Sequence, residues 1–207
     1  MPRRSLIRTS DFFYHVTLRC NNKEWFDLPL TTVWRLLCVS MTEAKSVVPV
    51  EVHLLLVMNN HYHLLVRTPD ANLDKFMFEL NRRFSQRIRF VTYRINRIFG
   101  DRYKWSLIEN EKYYLNVFRY ILQNPLRSGA AFRCEDYPYS TFFELINAKS
   151  CCVDTERLPF KLNVMFCDWL NQKISEDEKA SIKDGLSRPV FKTPLHKIKL
   201  DFYSIAK

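Results

Sequence analysis

The chain has little glycine and no long hydrophobic run, and both shortages narrow the classes of protein to which it can belong. Only three of its 207 residues are glycine, and neither a glycine-rich dinucleotide loop nor a P-loop is present. No run of eighteen apolar residues occurs, and the N-terminal Met-Pro-Arg-Arg-Ser lacks the apolar core of a signal peptide. We therefore expect a cytoplasmic protein with no membrane partner.

The cysteines show no pattern of a zinc knuckle or a disulfide scaffold, because no CxxC spacing occurs among them. The six are Cys20, Cys38, Cys134, Cys151, Cys152 and Cys167. We expect mostly buried, reduced thiols, as in cytosolic proteins.

Positive charge is in excess, and this favours a polyanionic partner. Lysine and arginine exceed aspartate and glutamate by ten, and 47% of the residues are hydrophobic. The hydrophobic fraction is that of an ordinary folded domain, so wholesale disorder is excluded. The charge favours a nucleic acid as the partner over a merely basic, soluble protein.

The segment Asn60-His61-Tyr62-His63 lies between two short apolar runs, residues 50–58 and 64–67, that read as strands of a hairpin. Residues two apart in a strand project from the same face, so His61 and His63 point the same way. Two imidazoles on one face form half of a metal site, although two histidines on an exposed strand can also be merely solvated. His53, on the preceding strand, reads as structural.

The order of predicted elements is β-α-β-β-α-β-α, which indicates an α+β domain with an antiparallel sheet and helices packed on it. The apolar spacing predicts helices over about 30–45, 73–98 and from Glu109 to Asn124, where Pro125 stops the third helix. We place a domain over residues 1–150. A short helical tail follows over 151–207 and ends in the basic stretch His196-Lys197-Ile198-Lys199.

The third helix carries a second candidate group. Tyr120 and Asn124 are four residues apart and share a face, which a helix laid across the sheet can bring over His61 and His63. Such a site suits phosphodiester cleavage in which a tyrosine oxygen attacks phosphorus. Tyr120 can also be a packing residue and Asn124 a helix-terminal residue. Tyr113 and Tyr114 compete as nucleophiles, but neither has an asparagine four residues later.

Several segments together resemble one family, the single-tyrosine HUH transposases, and most closely its branch associated with repetitive extragenic palindromes (REP). They are Tyr14-His15-Val16-Thr17-Leu18-Arg19, Asn60-His61-Tyr62-His63, Gly100-Asp101-Arg102-Tyr103-Lys104, Arg119-Tyr120-Ile121-Leu122-Gln123-Asn124-Pro125-Leu126-Arg127-Ser128-Gly129 and Glu135-Asp136-Tyr137-Pro138-Tyr139-Ser140. The resemblance spans roughly residues 10 to 145. Cys20 stands where the family usually has glycine, and the tail resembles that branch's DNA-contacting module only in part.

The resemblance implies a ferredoxin-like fold and cleavage of single-stranded DNA beside a hairpin through a 5′-phosphotyrosine. It implies Tyr120 as the nucleophile and a Mg²⁺ or Mn²⁺ ion on His61 and His63, with Asn124 as a third ligand. It also implies a bacterial protein associated with the nucleoid. The tail favours a monomer over a dimer.

The segment from Arg82 to Lys104 holds eight cations and one acid, which favours contact with a DNA backbone over a solvated face. The residues proposed to contact DNA are Arg82, Arg83, Arg87, Arg102, Lys104 and Arg127. Interleaved aromatic residues can stack on unpaired bases or belong to the core. They are Phe90, Tyr93, Phe99, Tyr103 and Trp105.

Two alternative functions for this chain are compatible with the same fold. One is a domesticated protein that binds hairpin DNA or RNA without cleaving it, although such a protein has no need of a phenol beside a metal. The other is a replication initiator or relaxase, for which the chain is short.

Overall fold

The computed structural model describes residues 5–149, 153–156 and 158–193. The basic stretch at 196–199 and two of the cysteines, Cys151 and Cys152, lie outside the described residues. Of the other cysteines, Cys20, Cys38 and Cys134 are free and buried, as expected, and Cys167 is free and half-buried. None of the described helices is both long enough and apolar enough to span a membrane.

The described chain folds into four strands and six α-helices, with two short 3-10 turns. The strands are β1 Phe13–Arg19, β2 Glu51–Met58, β3 His61–Arg67 and β4 Lys104–Ile108. The helices are α1 Leu30–Val47, α2 Leu73–Thr92, α3 Glu111–Arg127, α4 Thr141–Ile146, α5 Val164–Asn171 and α6 Glu176–Leu186. The 3-10 turns are Asn21–Lys23 and Cys134–Asp136.

The sheet has the strand order β2-β3-β1-β4, and all three pairings are antiparallel. With α1 between β1 and β2 and α2 between β3 and β4, this is the ferredoxin-like arrangement, so the predicted fold class is confirmed. A bulge in β2 between Val52 and Leu54 leaves His53 as the extra residue.

The two faces of the sheet are covered by different helices. Alternate residues of β1 and β3, such as Val16, Tyr62 and Leu64, pack in a first core with α1 and α2. The other face contributes Leu65 of β3, with residues of β2 and β4, to a second core under α3. Because His61 and His63 alternate with Tyr62 and Leu64, they lie on the face that α3 covers.

The second helix is shorter than the sequence predicts. It ends at Thr92 rather than near Ile98, and Tyr93 follows in the left-handed region with φ 55°. Residues 93–99 are then irregular and run beside the end of β1, where the amide of Asn21 donates to the carbonyl of Ile98 at 2.8 Å.

The third helix is longer than predicted, since it passes through Pro125 and ends at Arg127. Proline has no N–H, so the carbonyl of Ile121 loses its usual donor four residues later. The Asn124 side chain takes that place, because its Nδ2 donates to the carbonyl oxygens of Ile121 at 3.0 Å and Tyr120 at 3.1 Å. A local side-chain hydrogen bond thus compensates for the proline.

The chain after α4 packs against the same side as α3. Phe166 and Leu170 of α5, Ile182 of α6 and Phe191 belong to the second core. The segment around Val190 also adds a parallel bridge to Leu107 of β4, with backbone hydrogen bonds of 2.8 Å on both sides. The domain boundary near residue 150 stays a prediction.

Candidate functional site

The two histidines of the HxH motif lie side by side at the start of β3. Their ring centroids are 5.0 Å apart and the rings are nearly perpendicular. His63 is buried and His61 is half-buried. The sequence prediction that both project from one face agrees with this placement.

A hydrogen bond orients each ring from its Nδ1 side. His61 Nδ1 lies 2.7 Å from Oδ1 of Asn60, and the amide of Asn60 donates from Nδ2 to the carbonyl oxygen of Lys23 at 2.7 Å. His63 Nδ1 lies 3.0 Å from Nε2 of His15 on β1. Because Oδ1 of Asn60 can only accept, His61 carries its proton on Nδ1 and its Nε2 has a free lone pair.

Both imidazoles are held in the neutral form. Burial, with a smaller contribution from the charge of Arg19, lowers the pKa of His61 to about 4. Burial also lowers the pKa of His63 well below its ordinary value, with smaller contributions from His61, His15, Arg127 and Arg19. Neutral imidazole is the form that binds metal ions.

The face of α3 that carries Tyr120 and Asn124 is joined into one network by Arg127. Its guanidinium donates from Nη2 to Oδ1 of Asn124 at 2.8 Å and to the carbonyl of Tyr120 at 3.1 Å. Its Cζ also lies 4.8 Å from the centre of the Tyr120 ring, a cation–π geometry. Arg127 therefore fixes the spacing of the two predicted site residues.

Arg127 also connects α3 to the histidines. It lies close enough to His63 to lower the pKa of that imidazole, and the guanidinium is itself partly buried, which lowers the pKa of Arg127. Arginine remains charged in proteins, so Arg127 holds a fixed positive charge against the Tyr120 ring, and this charge contributes to the lowered pKa of His63.

The two rival tyrosines of α3 are engaged elsewhere. Tyr114 is buried, and its hydroxyl lies 2.9 Å from Nδ1 of His53, which is the structural role expected of that histidine. The hydroxyl of Tyr113 donates to the carbonyl of Thr193 at 3.1 Å, and its ring packs on Phe191. Tyr120 is half-buried, and within the described part of the chain its hydroxyl has no hydrogen-bond partner.

A row of polar residues crosses the sheet beside the histidines. Thr17 of β1 is paired with His63 on one side and with Lys104 of β4 on the other. Arg19 is paired with His61. Residues directly opposite one another in a sheet share a face, so the exposed side chains of Arg19 and Lys104 lie on the histidine face.

The arginines predicted on α2 do not join this group. Arg82, Arg83 and Arg87 lie on the helix that covers the opposite face of the sheet. Arg82 pairs with Glu79 at 2.9 Å, and Arg87 pairs with Glu43 of α1 at 2.6 Å. Arg83 pairs with both of these glutamates.

Arg102 is exposed in the irregular segment before β4. Roles in DNA binding for Arg102 and for the three α2 arginines stay predictions.

The residues present suit a divalent ion. Both Nδ1 atoms have hydrogen-bond partners, whereas the buried Nε2 of His63 has none among the described residues. Orientation of a ligating imidazole by a partner on its other nitrogen is the usual arrangement in metal sites. Among residues 5–149, 153–156 and 158–193, no three His, Cys, Asp or Glu side chains converge. A role for Asn124 as a third ligand stays a prediction, and its Oδ1 accepts a hydrogen bond from Arg127 at 2.8 Å.

The sequence analysis missed two residues of this site, His15 and Arg19. Both belong to β1, where polar residues at 15, 17 and 19 alternate with buried residues at 14, 16 and 18. That alternation is a signal for one polar face on a central strand. It shows which residues share a face, but only the register of β1 with β3 places His15 against His63.

The chain belongs to the IS200-like transposase family, whose model matches residues 8–124. This range contains both histidines, Tyr120 and Asn124, and Arg127 lies just beyond it. The family assignment was the sequence prediction, and it is confirmed.

Two relatives agree with this assignment. The chain is 27% identical to the REP-associated tyrosine transposase of Escherichia coli K12 over 146 residues, which are 68% of this chain and 81% of the relative. It also superposes on the solved structure of a REP-associated tyrosine transposase bound to a REP hairpin, with a TM-score of 0.60 and 20% identity. That match covers 76% of this chain and 93% of the other, and it shows a shared fold.

Proposed function

We propose that this chain is a metal-dependent endonuclease and strand transferase that acts on single-stranded DNA beside a hairpin. One observation carries the proposal. Arg127 donates to Asn124, lies over the ring of Tyr120 and contributes to the lowered pKa of His63, which supports a site in which Tyr120, a fixed cation and the two neutral imidazoles act together. The histidine-face cations Arg19 and Lys104 provide a surface for the DNA backbone.

In this proposal, His61, His63 and Asn124 would hold a Mg²⁺ or Mn²⁺ ion, which when bound would supply neutralisation of negative charge at the scissile phosphate. Tyr120 releases its hydroxyl proton to solvent, and its oxygen forms a bond to phosphorus. The bond from phosphorus to the 3′ oxygen breaks, and that oxygen leaves as a protonated 3′ hydroxyl. Arg127 stabilises the phenolate as it forms, because a buried cation interacts strongly with a nearby anion.

The resulting 5′-phosphotyrosine conserves the energy of the phosphodiester bond. Attack by a 3′ hydroxyl on the same phosphorus reverses the reaction, releases Tyr120 and rejoins the strand. Cleavage and rejoining by one site are what DNA transposition requires of an enzyme. A hairpin as the recognised partner is proposed from the relative whose structure contains a REP hairpin.

The direction of the chemistry gives a specific test. The protein is incubated with Mn²⁺ and a hairpin oligonucleotide that has single-stranded flanks, labelled at either its 3′ or its 5′ end. We expect a covalent adduct that carries the 3′ label and not the 5′ label, since the retained fragment is the one whose 5′ phosphate is bonded to Tyr120. Tyr120→Phe should give no adduct, whereas Tyr113→Phe on the same helix should give the wild-type amount.

The binding-only alternative predicts a different result. A protein that binds hairpins without chemistry would retain the oligonucleotide but form no adduct with either label. An adduct that carries the 5′ label would exclude the proposed polarity.

A further inference from the structure

The corner of the molecule where β1 ends and β3 begins exposes large apolar side chains to an unusual degree. The exposed fractions are 66% for Trp25, 83% for Phe90, 90% for Tyr93 and 93% for Ile95. We call these four residues the aromatic corner. By contrast Phe99, Tyr103 and Trp105, which the sequence placed in the same group of candidates, pack against the first core.

The backbone of this corner is anchored rather than loose. An ion pair joins Arg94 to Glu24, and a second joins Arg94 to Asp27 at 3.5 Å. Gly100 fits tightly against Asn21, since a Cβ at residue 100 would lie 2.5 Å from Asn21 Oδ1. Because residue 94 is held against residue 24, the neighbouring side chains of Tyr93 and Trp25 are presented from a fixed base.

Tyr93 is in a costly conformation. It ends α2 in the left-handed region, with φ 55° and ψ 20°, where glycine or asparagine is the usual residue. A bulky residue there is an outlier, and its ring gains nothing from burial. Both features disfavour tyrosine on grounds of stability alone, so an exposed ring at this position points to a ligand.

The aromatic corner is linked to the candidate active site through one residue. Asn60 donates to the carbonyl of Lys23 and is the Nδ1 partner of His61, with both distances 2.7 Å. Lys23 adjoins Glu24, the residue paired with Arg94. A single strand of DNA bound along the histidine face of the sheet therefore passes the end of the sheet at His61 and reaches the aromatic corner.

The charged residues near the aromatic corner indicate which class of ligand it binds. Lys23, Arg89 and Arg97 are exposed cations on the segments that carry the rings, while the acids on either side of Trp25, Glu24 and Asp27, are paired with Arg94. A second copy of a chain with net charge +10 would be repelled. Exposed rings among unopposed cations fit unpaired nucleotides, whose bases stack and whose phosphates are anionic.

We propose that the aromatic corner is a stacking platform for unpaired bases of single-stranded DNA next to the scissile phosphate. The proposal rests on the proposed function, because it assigns the path of that substrate beyond His61. Trp25 and Tyr93 form the centre of the platform, and the neighbouring cations contact the backbone of the same nucleotides.

The test measures by fluorescence anisotropy how tightly the full chain binds a fluorescent 20-nucleotide oligothymidylate. Every protein tested, including the parent, carries Tyr120→Phe, which prevents covalent chemistry. Trp25→Ala and Tyr93→Asn should each weaken binding about tenfold, because removal of one stacking ring typically costs that much. Tyr93→Asn places a residue that favours φ above zero at the helix end, so the fold is preserved. Trp25→Phe retains a ring and should bind within about threefold of the parent.

Phe132→Ala is the matched control, since Phe132 is 98% exposed but lies on the loop after α3. It should leave the affinity unchanged. The factor by which Trp25→Ala or Tyr93→Asn weakens binding of the oligonucleotide should be similar at low and high salt, because stacking releases no counterions. A blunt duplex, whose bases are already stacked, should bind all variants equally.

The proposal is overturned if Trp25→Ala and Tyr93→Asn bind the oligonucleotide as the parent does, or no worse than Phe132→Ala does. It is also overturned if these substitutions change only the oligomeric state or the capture of a protein partner. The two proposals fail separately. If the substitutions weaken binding while the protein with Tyr120 intact forms no adduct, the platform is supported and the nuclease is contradicted. If they leave binding unchanged while the protein with Tyr120 intact forms the adduct, the nuclease is supported and the platform is contradicted.

Discussion

Nε2 of His15 lies 3.0 Å from Nδ1 of His63, and the two rings are stacked with their centroids 5.2 Å apart. If His63 presents Nε2 to a metal ion, its Nδ1 must carry the proton and donate it to His15. His15 therefore positions His63 without touching the metal. Burial lowers the pKa of His15 to about 3, which keeps it neutral and able to accept.

Removal of His15 should weaken metal binding although no ligand is lost. We expect His15→Phe to reduce the affinity for Mn²⁺ by about ten- to a hundredfold, as is usual when an orienting partner of a ligand is removed. His15→Gln, which keeps an acceptor, should recover part of this loss. Isothermal titration calorimetry with Mn²⁺ measures both.

The control for His15 is His53→Gln, because His53 is also a buried histidine under α3 but is bonded to Tyr114. It should leave the Mn²⁺ affinity unchanged. If His15→Phe binds Mn²⁺ as tightly as wild type does, His15 does not orient His63.

Asn124 has an observed structural role in α3 and a proposed role as a metal ligand, and a pair of substitutions separates them. Asn124→Ala should destabilise the fold by about 1–2 kcal/mol, because the carbonyl of Ile121 loses the donor that replaces the missing N–H of Pro125, and the carbonyl of Tyr120 loses one of its donors. The double variant Asn124→Ala with Pro125→Ala restores a backbone N–H for Ile121 and should recover most of that stability. Urea denaturation of both variants measures the difference.

Metal affinity should not recover in the same double variant, because Oδ1 of Asn124 is still missing. Recovery of both stability and Mn²⁺ affinity would show that Asn124 is a structural residue only. The single variant Pro125→Ala is the control, and it should bind Mn²⁺ normally.

Arg127 should matter for the rate of cleavage more than for DNA affinity. Arg127→Met should slow adduct formation by about a hundredfold or more, since one preorganised cation beside the reacting group is removed. Arg127→Lys keeps the charge but cannot donate to both Asn124 and the carbonyl of Tyr120. Its rate of adduct formation should therefore lie between those of wild type and Arg127→Met. Single-turnover kinetics with the 3′-labelled oligonucleotide give these rates.

Arg133→Met is the comparison, because Arg133 is an arginine exposed to solvent and paired with Glu135 and Asp168. Its rate of adduct formation should equal that of wild type. An Arg127→Met variant that reacts at the wild-type rate would remove Arg127 from the site.

The fold should lose stability in mild acid. Burial lowers the pKa of His53 to about 4, with a smaller lowering contribution from Arg67 and an opposing one from Glu51. A histidine whose pKa is depressed on folding contributes its full stability above its ordinary pKa of 6.5. That contribution is lost as the pH falls from 6.5 towards 4, by up to about 1.4 kcal/mol per pH unit.

His53→Gln should therefore have a shallower dependence of unfolding free energy on pH than wild type in this window, and the same dependence above pH 7. Urea denaturation at several pH values tests this. Equal slopes for the two proteins between pH 6.5 and 4 would show that His53 titrates normally in the folded state.

The order of helices and strands, and the pairs of site residues that share one face of a strand or helix, were predictable because both follow from local periodicity of the sequence. The alternation of strand residues places His61 beside His63, and helical spacing places Tyr120 beside Asn124. The end of α3 was not predictable by the proline rule. The side chain of Asn124 donates to the carbonyl of Ile121 the hydrogen bond that Pro125, which has no N–H, cannot donate, and such a compensation depends on the rotamer of Asn124.

Contacts between distant segments were also beyond the sequence. His15 meets His63 only because β1 is inserted between β3 and β4 in one register. The charge run on α2 looks unopposed in the sequence, yet Glu43 of α1 packs against it. Tyr93 is exposed because α2 ends at Thr92, whereas the sequence pattern predicted a helix that continues to about Ile98.

In the proposed reaction one oxygen, the hydroxyl of Tyr120, forms the bond to DNA. Tandem mass spectrometry of the adduct, after digestion with nuclease and trypsin, tests this directly. We expect the residual nucleotide to be attached through its 5′ phosphate to Tyr120. A nucleotide on Tyr113, on Tyr114 or on any other residue would contradict the account, and so would attachment through a 3′ phosphate.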